Sequence, residues 1–314
     1  GNNVANLGNI ATVGAFDFKN ANAVTVTGTV RTSDVTASAS GAISIQTTAG
    51  DVVVSGTVAT GKADASSSSA TAAASGAVTI NAAGSVTGTG AINTGNAIAD
   101  SATATVGTIN VQAAAIGSSA TPQTVTLGTA TATGGGGSAA TGAVNLATSG
   151  AGGTGGSAYI TSAAPITVSD ISVPRAAVLP SLIAPTVSIA TTGTNSTVSF
   201  DSGANFTNLK GTGAAADGAK LIIDTTGSGA IGGAVTFNKA LEAGSITVKA
   251  SGAVTVNAAL STSAVDTSSA ANVSARSGDI SIAAVGNVAG AGTLTTGAAR
   301  AQGGASASPT IAQS

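Results

Sequence analysis

Residues Gly76 to Thr94 read GAVTINAAGSVTGTGAINT and contain three short bursts: Val78-Thr79-Ile80, Ser85-Val86-Thr87 and Ala91-Ile92-Asn93. An aliphatic side chain alternating with Thr, Ser or Asn is the period-two mark of a strand with one buried face. Gly, Ala and Asn separate the bursts, so none extends into a long strand. A strand this short cannot bury a face alone and needs copies of itself stacked above and below.

The chain supplies the copies. A Gly followed by an alternating aliphatic run opens at Gly14 (GAFDF), Gly41 (GAISI), Gly76 (GAVTI), Gly107 (GTINV) and Gly142 (GAVNL), and again at Gly244 (GSITV) and Gly278 (GDISI). From Gly41 to Gly142 the spacings are 35, 31 and 35 residues, and Gly244 to Gly278 spans 34. A second run follows each opening, as in Asp51–Val58 (DVVVSGTV), Ala253–Leu260 (AVTVNAAL) and Asn287–Leu294 (NVAGAGTL). Then comes a tract of small polar residues, such as Gly61–Ser75 (GKADASSSSATAAAS) or Ser263–Ser277. Such a tract suits either a third, Ala-lined strand or an arm that leaves the coil and returns.

Repeats of this kind predict an all-β fold, a right-handed parallel β-helix (β-solenoid) in which each strand pairs with its equivalent one coil on. Pro165, Pro174, Pro180 and Pro185 interrupt the rhythm, and Pro is excluded from central ladders. The expected organisation is therefore a repeat block at 1–164, an irregular junction or excursion at 165–231, and a second block at 232–314, all in one continuous solenoid. Gly233 (GAVTFNKALEAGSITV) resembles Gly14 (GAFDFKNANAVTV), which suggests a higher-order repeat. Coils of 34 residues would give a rod about 45 Å long and coils of about 20 a rod of about 70 Å, from the spacing between paired strands. The longer rod is the expectation.

Composition fits a thin interior. Of 314 residues 44 are Gly, aromatics are 2%, and Cys, Met, Trp and His are absent, so Ala, Val and Ile must fill the core. Charged residues are 7% with a net charge of −2, and the basic ones stand singly, which argues against a nucleic-acid or anionic-membrane partner. No apolar run is long enough for a membrane-spanning segment. Without Cys there are no disulfides or thiolate metal sites. The opening GNNVANLGNI lacks a charged-then-apolar leader pattern, so the expectation is a removed signal or an excerpt of a longer polypeptide.

The motifs G-[AS]-[IV]-[ST]-[IV] and G-x-[IV]-x-[TA]-G, at Gly41–Gly61 and Gly76–Gly95, resemble the repeat region of filamentous haemagglutinin-like adhesins, the large passengers of two-partner secretion. Gly278–Gly297 (GDISIAAVGNVAGAGTLTTG) is similar in style. The resemblance covers most of the chain and is weakest across 165–231; the long Ala/Ser tracts depart from it. It implies export through an outer-membrane pore, folding outside the cell at the bacterial surface, and an attachment or fibre-forming role.

Candidate chemistry is sparse. Gly227-Ser228-Gly229-Ala230-Ile231-Gly232 matches G-x-G-x-x-G, but a dinucleotide site needs a helix to begin there and Ala234-Val235-Thr236-Phe237 reads as a strand. Asp217 and Asp224 are the tightest carboxylate pair, yet the aromatic and basic groups of a glycosidase are missing, so no enzyme and no cofactor is expected. Thr25, Thr27 and Thr29 alternate in VTVTGTV and form the candidate ligand-binding set, an outward Thr row suited to ice or a polysaccharide. Against that stands the general preference of Thr for solvent-facing strand positions. The expected function is a structural, adhesive rod segment. Its partners are further repeats of the chain or end-to-end copies, because neither Gly1–Leu7 nor Ser306–Ser314 reads as a polar cap, and a host or matrix glycan.

Overall fold

A computed structural model describes residues 2–36, 39–148, 156–173, 184–207, 209–211, 218–228, 232–268, 275–301 and 312–313. Among these residues there is no α-helix, only one 3₁₀ turn at Thr226–Ser228, and every strand pairing is parallel. The alternation seen in the sequence becomes the packing rule. Ile43, Val78, Ile109 and Val144 pair in register, as do Ile45, Ile80, Val111 and Leu146, and all eight are buried. Each such side chain contributes roughly 1.5–3 kcal/mol by leaving water. The β-branched and Leu side chains stack like on like along the axis, so one narrow core runs the length of the ladder.

Two ten-stranded sheets form the sides of a parallel β-solenoid. Sheet A begins at Phe16–Asn20, Ile43–Thr47 and Val78–Asn81 and ends at Val254–Val256 and Val288–Ala289. Sheet B begins at Ile10–Thr12, Thr29–Thr32 and Thr57–Ala59 and ends at Ser245–Ala250 and Ile280–Ala284. Between a sheet A strand and the next sheet B strand the chain crosses a third side. It carries Asn6–Leu7, Val24–Val26, Val52–Val54 and Val86–Thr87 at one end of the rod, and Leu241–Ala243, Leu260–Thr262 and Leu294–Thr295 at the other.

Coil length is not constant. Along sheet A the step from one rung to the next runs from 19 residues (Val235 to Val254) to 37 (Val198 to Val235). Both periods considered from the sequence are therefore real: a bare coil of 19 or 20 residues, and a coil that adds a lateral arm. Ten rungs span about 43 Å at the usual strand spacing. The expected longer rod is thus corrected, because the arms consume residues without adding height.

The Ala/Ser tracts are the arms. Ala63–Ala65, Ala97–Ala99 and Ala130–Ala132 stack as one small sheet, and Ala73–Ala74, Thr103–Thr105 and Ser138–Ala140 as another. The two face each other over a second core of Ala63, Ala65, Ala73, Ala97, Ala99, Ala104 and Val106. Small side chains line it, and the larger Ile98 points outward between the buried Ala97 and Ala99.

A buried hydroxyl closes the base of three of the arms. Thr60 Oγ1 donates to the Gly76 carbonyl across the base (2.9 Å) and accepts from the Gly95 amide of the next coil (2.9 Å). Thr32 does the same with Gly41 and Gly61. In the last coils Thr262 donates to Gly278 O (2.8 Å) and accepts from Gly297 N (2.9 Å). Thr32 and Thr60 end strands on sheet B or directly follow one, whereas Thr262 ends a strand of the third side. Arms therefore leave the first coils between sheets B and A, and the last coils between the third side and sheet B. The Gly-led strands after Gly41, Gly76, Gly107 and Gly142 follow an arm and lie in sheet A, whereas those after Gly244, which follows the third side directly, and Gly278, which follows an arm, lie in sheet B. The sequence repeat slips by one side of the solenoid while the ladder continues unbroken.

Across 165–231 the strands Ile166–Ser172, Thr186–Thr191, Val198–Thr207 and Lys220–Asp224 extend both sheets. Pro165 and Pro185 each stand immediately before a strand, where no ladder amide is needed, and Pro174 and Pro180 lie outside the described residues. The irregularity within the ladder is a pair of bulges, at Ser169 and at 201–204.

Candidate functional site

Thr25, Thr27 and Thr29 do not share a face. Thr25 is on the third side with Asn6 below and Val53 above, Thr29 is on sheet B opposite Thr57, and Thr27 sits at the corner between them. The corner is cramped. Thr27 Oγ1 donates to Leu7 O (3.1 Å), and a side chain on Gly28 would collide with the backbone of Gly8 and Asn9 in the coil below. Asp224 caps its own strand end by accepting from the amide (2.9 Å) and hydroxyl (2.6 Å) of Thr226; Asp217 lies outside the described residues. The G-x-G-x-x-G stretch is described only at Gly227, Ser228 and Gly232, and the strand Val235–Phe237 follows it. Among the described residues no three His, Cys, Asp or Glu side chains come together as a metal site.

The outward surface of sheet A carries a different set. One column runs Thr79, Asn110, Asn145, Asp170, Asn205, each paired with the next across adjacent strands. The column beside it runs Gln46, Asn81, Gln112, Ala147, Ser172. Amides in the first column pass hydrogen bonds along the axis: Asn145 Nδ2 donates to Asn110 Oδ1 (2.7 Å), and Asn110 Nδ2 donates to Thr79 Oγ1 (3.4 Å) and, beside it in its own coil, to Thr108 Oγ1 (3.1 Å). Where Ala147 stands in place of the long Gln112 the surface dips, and a recess of about 130 Å³ opens between the columns.

Asp170 reaches this recess through a bulge. Val168 pairs with Val144 and Asp170 with Asn145, so Ser169 is an extra residue in its strand. Strict alternation after the buried Val168 would aim residue 170 into the core. The bulge turns it outward and returns Ile171 to the interior. The next strand omits 201–204 from its pairing, which keeps Asn205 opposite Asp170. Two successive irregularities thus preserve one polar column.

The result is a pair of unsatisfied acceptors. Asn145 Oδ1 and Asp170 Oδ1 are buried and make no hydrogen bond, and no Lys or Arg lines the recess. Burial without a cation raises the Asp170 carboxyl above its ordinary 3.8. Asp64, on the outer face of an arm, is the opposite case. The Ser66 hydroxyl, then Lys62, then the Ser66 amide hold its carboxyl down at about 2. Stability from Asp64 is present above the unfolded value and lost as pH falls toward 2. The cost of charging Asp170 is present above its raised value and relieved as pH falls through it. In a carbon-detected NMR titration Asp170 should protonate with a midpoint above 3.8 and Asp64 near about 2. The reverse order would contradict the assigned environments.

No protein-family model, curated protein or solved structure matches the chain.

Proposed function

We propose that the chain is a structural and adhesive rod segment of a large exported bacterial surface protein or extracellular fibre. The observation that carries this reading is the pair of ten-stranded parallel sheets, whose rungs hold one another by backbone pairing along the rod. Val288 and Leu294 are 53% and 52% exposed where their partners Val254 and Leu260 are buried, and a second copy seated on them would cover them and pair the strand edges. The absence of Cys and the resemblance to filamentous haemagglutinin-like repeats accord with export.

Sedimentation velocity across a concentration series tests the reading. The 314-residue chain should associate end to end, and Val288→Lys with Leu294→Lys should leave a monomer with unchanged β circular dichroism. A wild-type chain that stays monomeric, with amides of Ile280–Ala284 as protected from exchange as interior strands, would overturn it.

A further inference from the structure

Asn145 Oδ1 and Asp170 Oδ1 are both closed to solvent and both without a hydrogen bond, and the two residues stand opposite each other on paired strands. Neighbours in this column reach one another: Asn110 and Asn145, paired in the same way one rung down, are joined at 2.7 Å. A buried oxygen without a partner is rare and needs a cause, and here one cause covers both. The two acceptors cannot bond while the carboxyl is ionised, because neither carries a hydrogen. A protonated carboxyl has an O–H to give, so a single proton on Asp170 satisfies both oxygens at once. Asn145 Nδ2 is committed to Asn110, and no Lys or Arg lines the recess beside the pair. Nothing on the neighbouring strands favours the charged form. Val144–Thr148, on one side, has no titratable residue, and Asp170 is the single one of its own strand, Ile166–Ser172. Val198–Thr207, on the other side, brings only Asp201, another acid, which accepts within its own bulge from Gly203 N (3.1 Å) and Ser202 Oγ (3.4 Å). A lone carboxylate held out of water costs far more than a neutral acid that is hydrogen-bonded.

We propose that Asp170 is held as the neutral carboxylic acid and donates to Asn145 Oδ1, closing a side-chain column that runs from Asp170 through Asn145 and Asn110 to Thr79. The column ties four successive rungs on the outer surface of sheet A, and every link passes a hydrogen the same way: Asp170 to Asn145, Asn145 to Asn110 (2.7 Å), Asn110 to Thr79 (3.4 Å). The bulge at Ser169 is what turns the acid outward to head the column. The proton makes the first link acid-dependent. That link is fully present below the ordinary carboxyl value of the unfolded chain and is lost as pH rises through the higher value of the folded one. Above that point an ionised Asp170 faces the Asn145 oxygen with no hydrogen between them, and the rungs on either side of this pair lose their outer tie. The rod is therefore held most firmly in acid and loosens at the bulge as Asp170 ionises.

The test follows the carboxyl carbon of Asp170 and the side-chain amides of Asn145 and Asn110 by NMR across pH, in the full chain. All three should move together with one midpoint above 3.8, although Asn110 is two rungs from the acid. Asn145→Leu keeps the volume and the burial but removes the acceptor, and should bring the Asp170 midpoint down toward 3.8. Asp170→Asn supplies a donor that cannot ionise. It should raise the melting temperature by at least ~2 °C above the midpoint and match the parent chain below it. Dispersed backbone spectra establish that both variants fold, and the titration of the parent chain needs no variant. An Asp170 midpoint at or below 3.8 overturns the proposal. So does a midpoint that Asn145→Leu leaves in place or raises, because burial alone then holds the proton. A lower melting temperature for Asp170→Asn above the midpoint also overturns it, since the amides would then be turned end for end to serve a charged carboxylate.

Discussion

Gly76→Ala should cost the fold about 3–5 kcal/mol, at the upper end of what single substitutions do. Gly76 belongs to the column Gly14, Gly41, Gly76, Gly107, Gly142 at the corner where the chain enters sheet A, directly from sheet B at Gly14 and from an arm at the others. A methyl group built there would lie within overlap distance of the Gly41 carbonyl and the Ala42 nitrogen. Those atoms are backbone and cannot rotate away, so relief requires the two rungs to part. Parting them strains the bond from Ile43 N to Ala77 O (2.9 Å), the bond from Gly76 N to Ser40 Oγ (2.9 Å), and the Thr60 closure. The loss of unfolded-state entropy that ordinarily makes Gly→Ala favourable is worth only about 0.4–1 kcal/mol and is outweighed. Gly135, at an arm tip with nothing within 4 Å of its would-be Cβ, is the matched control and should change stability by less than about 0.5 kcal/mol. Equal denaturation midpoints for the two variants would show that the coils do not approach so closely.

That column is invisible in any one repeat and legible only when repeats are aligned, which describes how far the sequence could be read. Alternation at Val78-Thr79-Ile80 and Ile43-Ser44-Ile45 identifies strands, their buried faces and their parallel stacking, because those follow from local chemistry. Coil length did not follow, since residues in an arm and residues in a rung share the same Ala, Ser and Thr vocabulary. The like-looking Gly76 and Gly278 open strands in different sheets, because motif spacing records the distance from an arm and not the side of the solenoid. Thr25, Thr27 and Thr29 alternate perfectly in sequence and are divided by the corner at Gly28. The Asp170 recess was beyond reach for a related reason. Its orientation depends on one inserted residue, and its neighbours Asn145 and Asn110 come from coils 25 and 60 residues earlier. Asn145 itself, inside the Gly142 run GAVNL, was a legible hint: an amide at the position where Gly76 and Gly41 runs carry Thr79 and Ser44.

Phe200→Ala should have the other large effect, about 3–5 kcal/mol, as for other buried aromatics cut to alanine. Phe200 is fully buried and stacks on Phe237 one rung away, with ring centroids 4.8 Å apart and planes 8° from parallel, while Phe206 meets it edge-on at 5.8 Å. These rings continue an aliphatic column, Val168 to Phe200 to Phe237 to Val256, through the rung where the 201–204 bulge interrupts pairing. Volume here compensates for lost backbone contacts, so the vacated space cannot be closed by a simple collapse of the strand. In a stack where each coil touches only its neighbours, stability is a sum of coil and interface contributions, and a weakened interface uncouples what lies on either side. Calorimetry of Phe200→Ala should therefore resolve two transitions, the coils before the bulge melting apart from those after it. Phe16→Ala, which removes a half-buried ring from the first rung of sheet A, should lower stability by about 1–2 kcal/mol without splitting the transition, because a terminal coil has no stack beyond it to uncouple. A single transition for Phe200→Ala, shifted no further than that of Phe16→Ala, would mean that the Phe200–Phe237 pair is not what joins the two ends of the ladder.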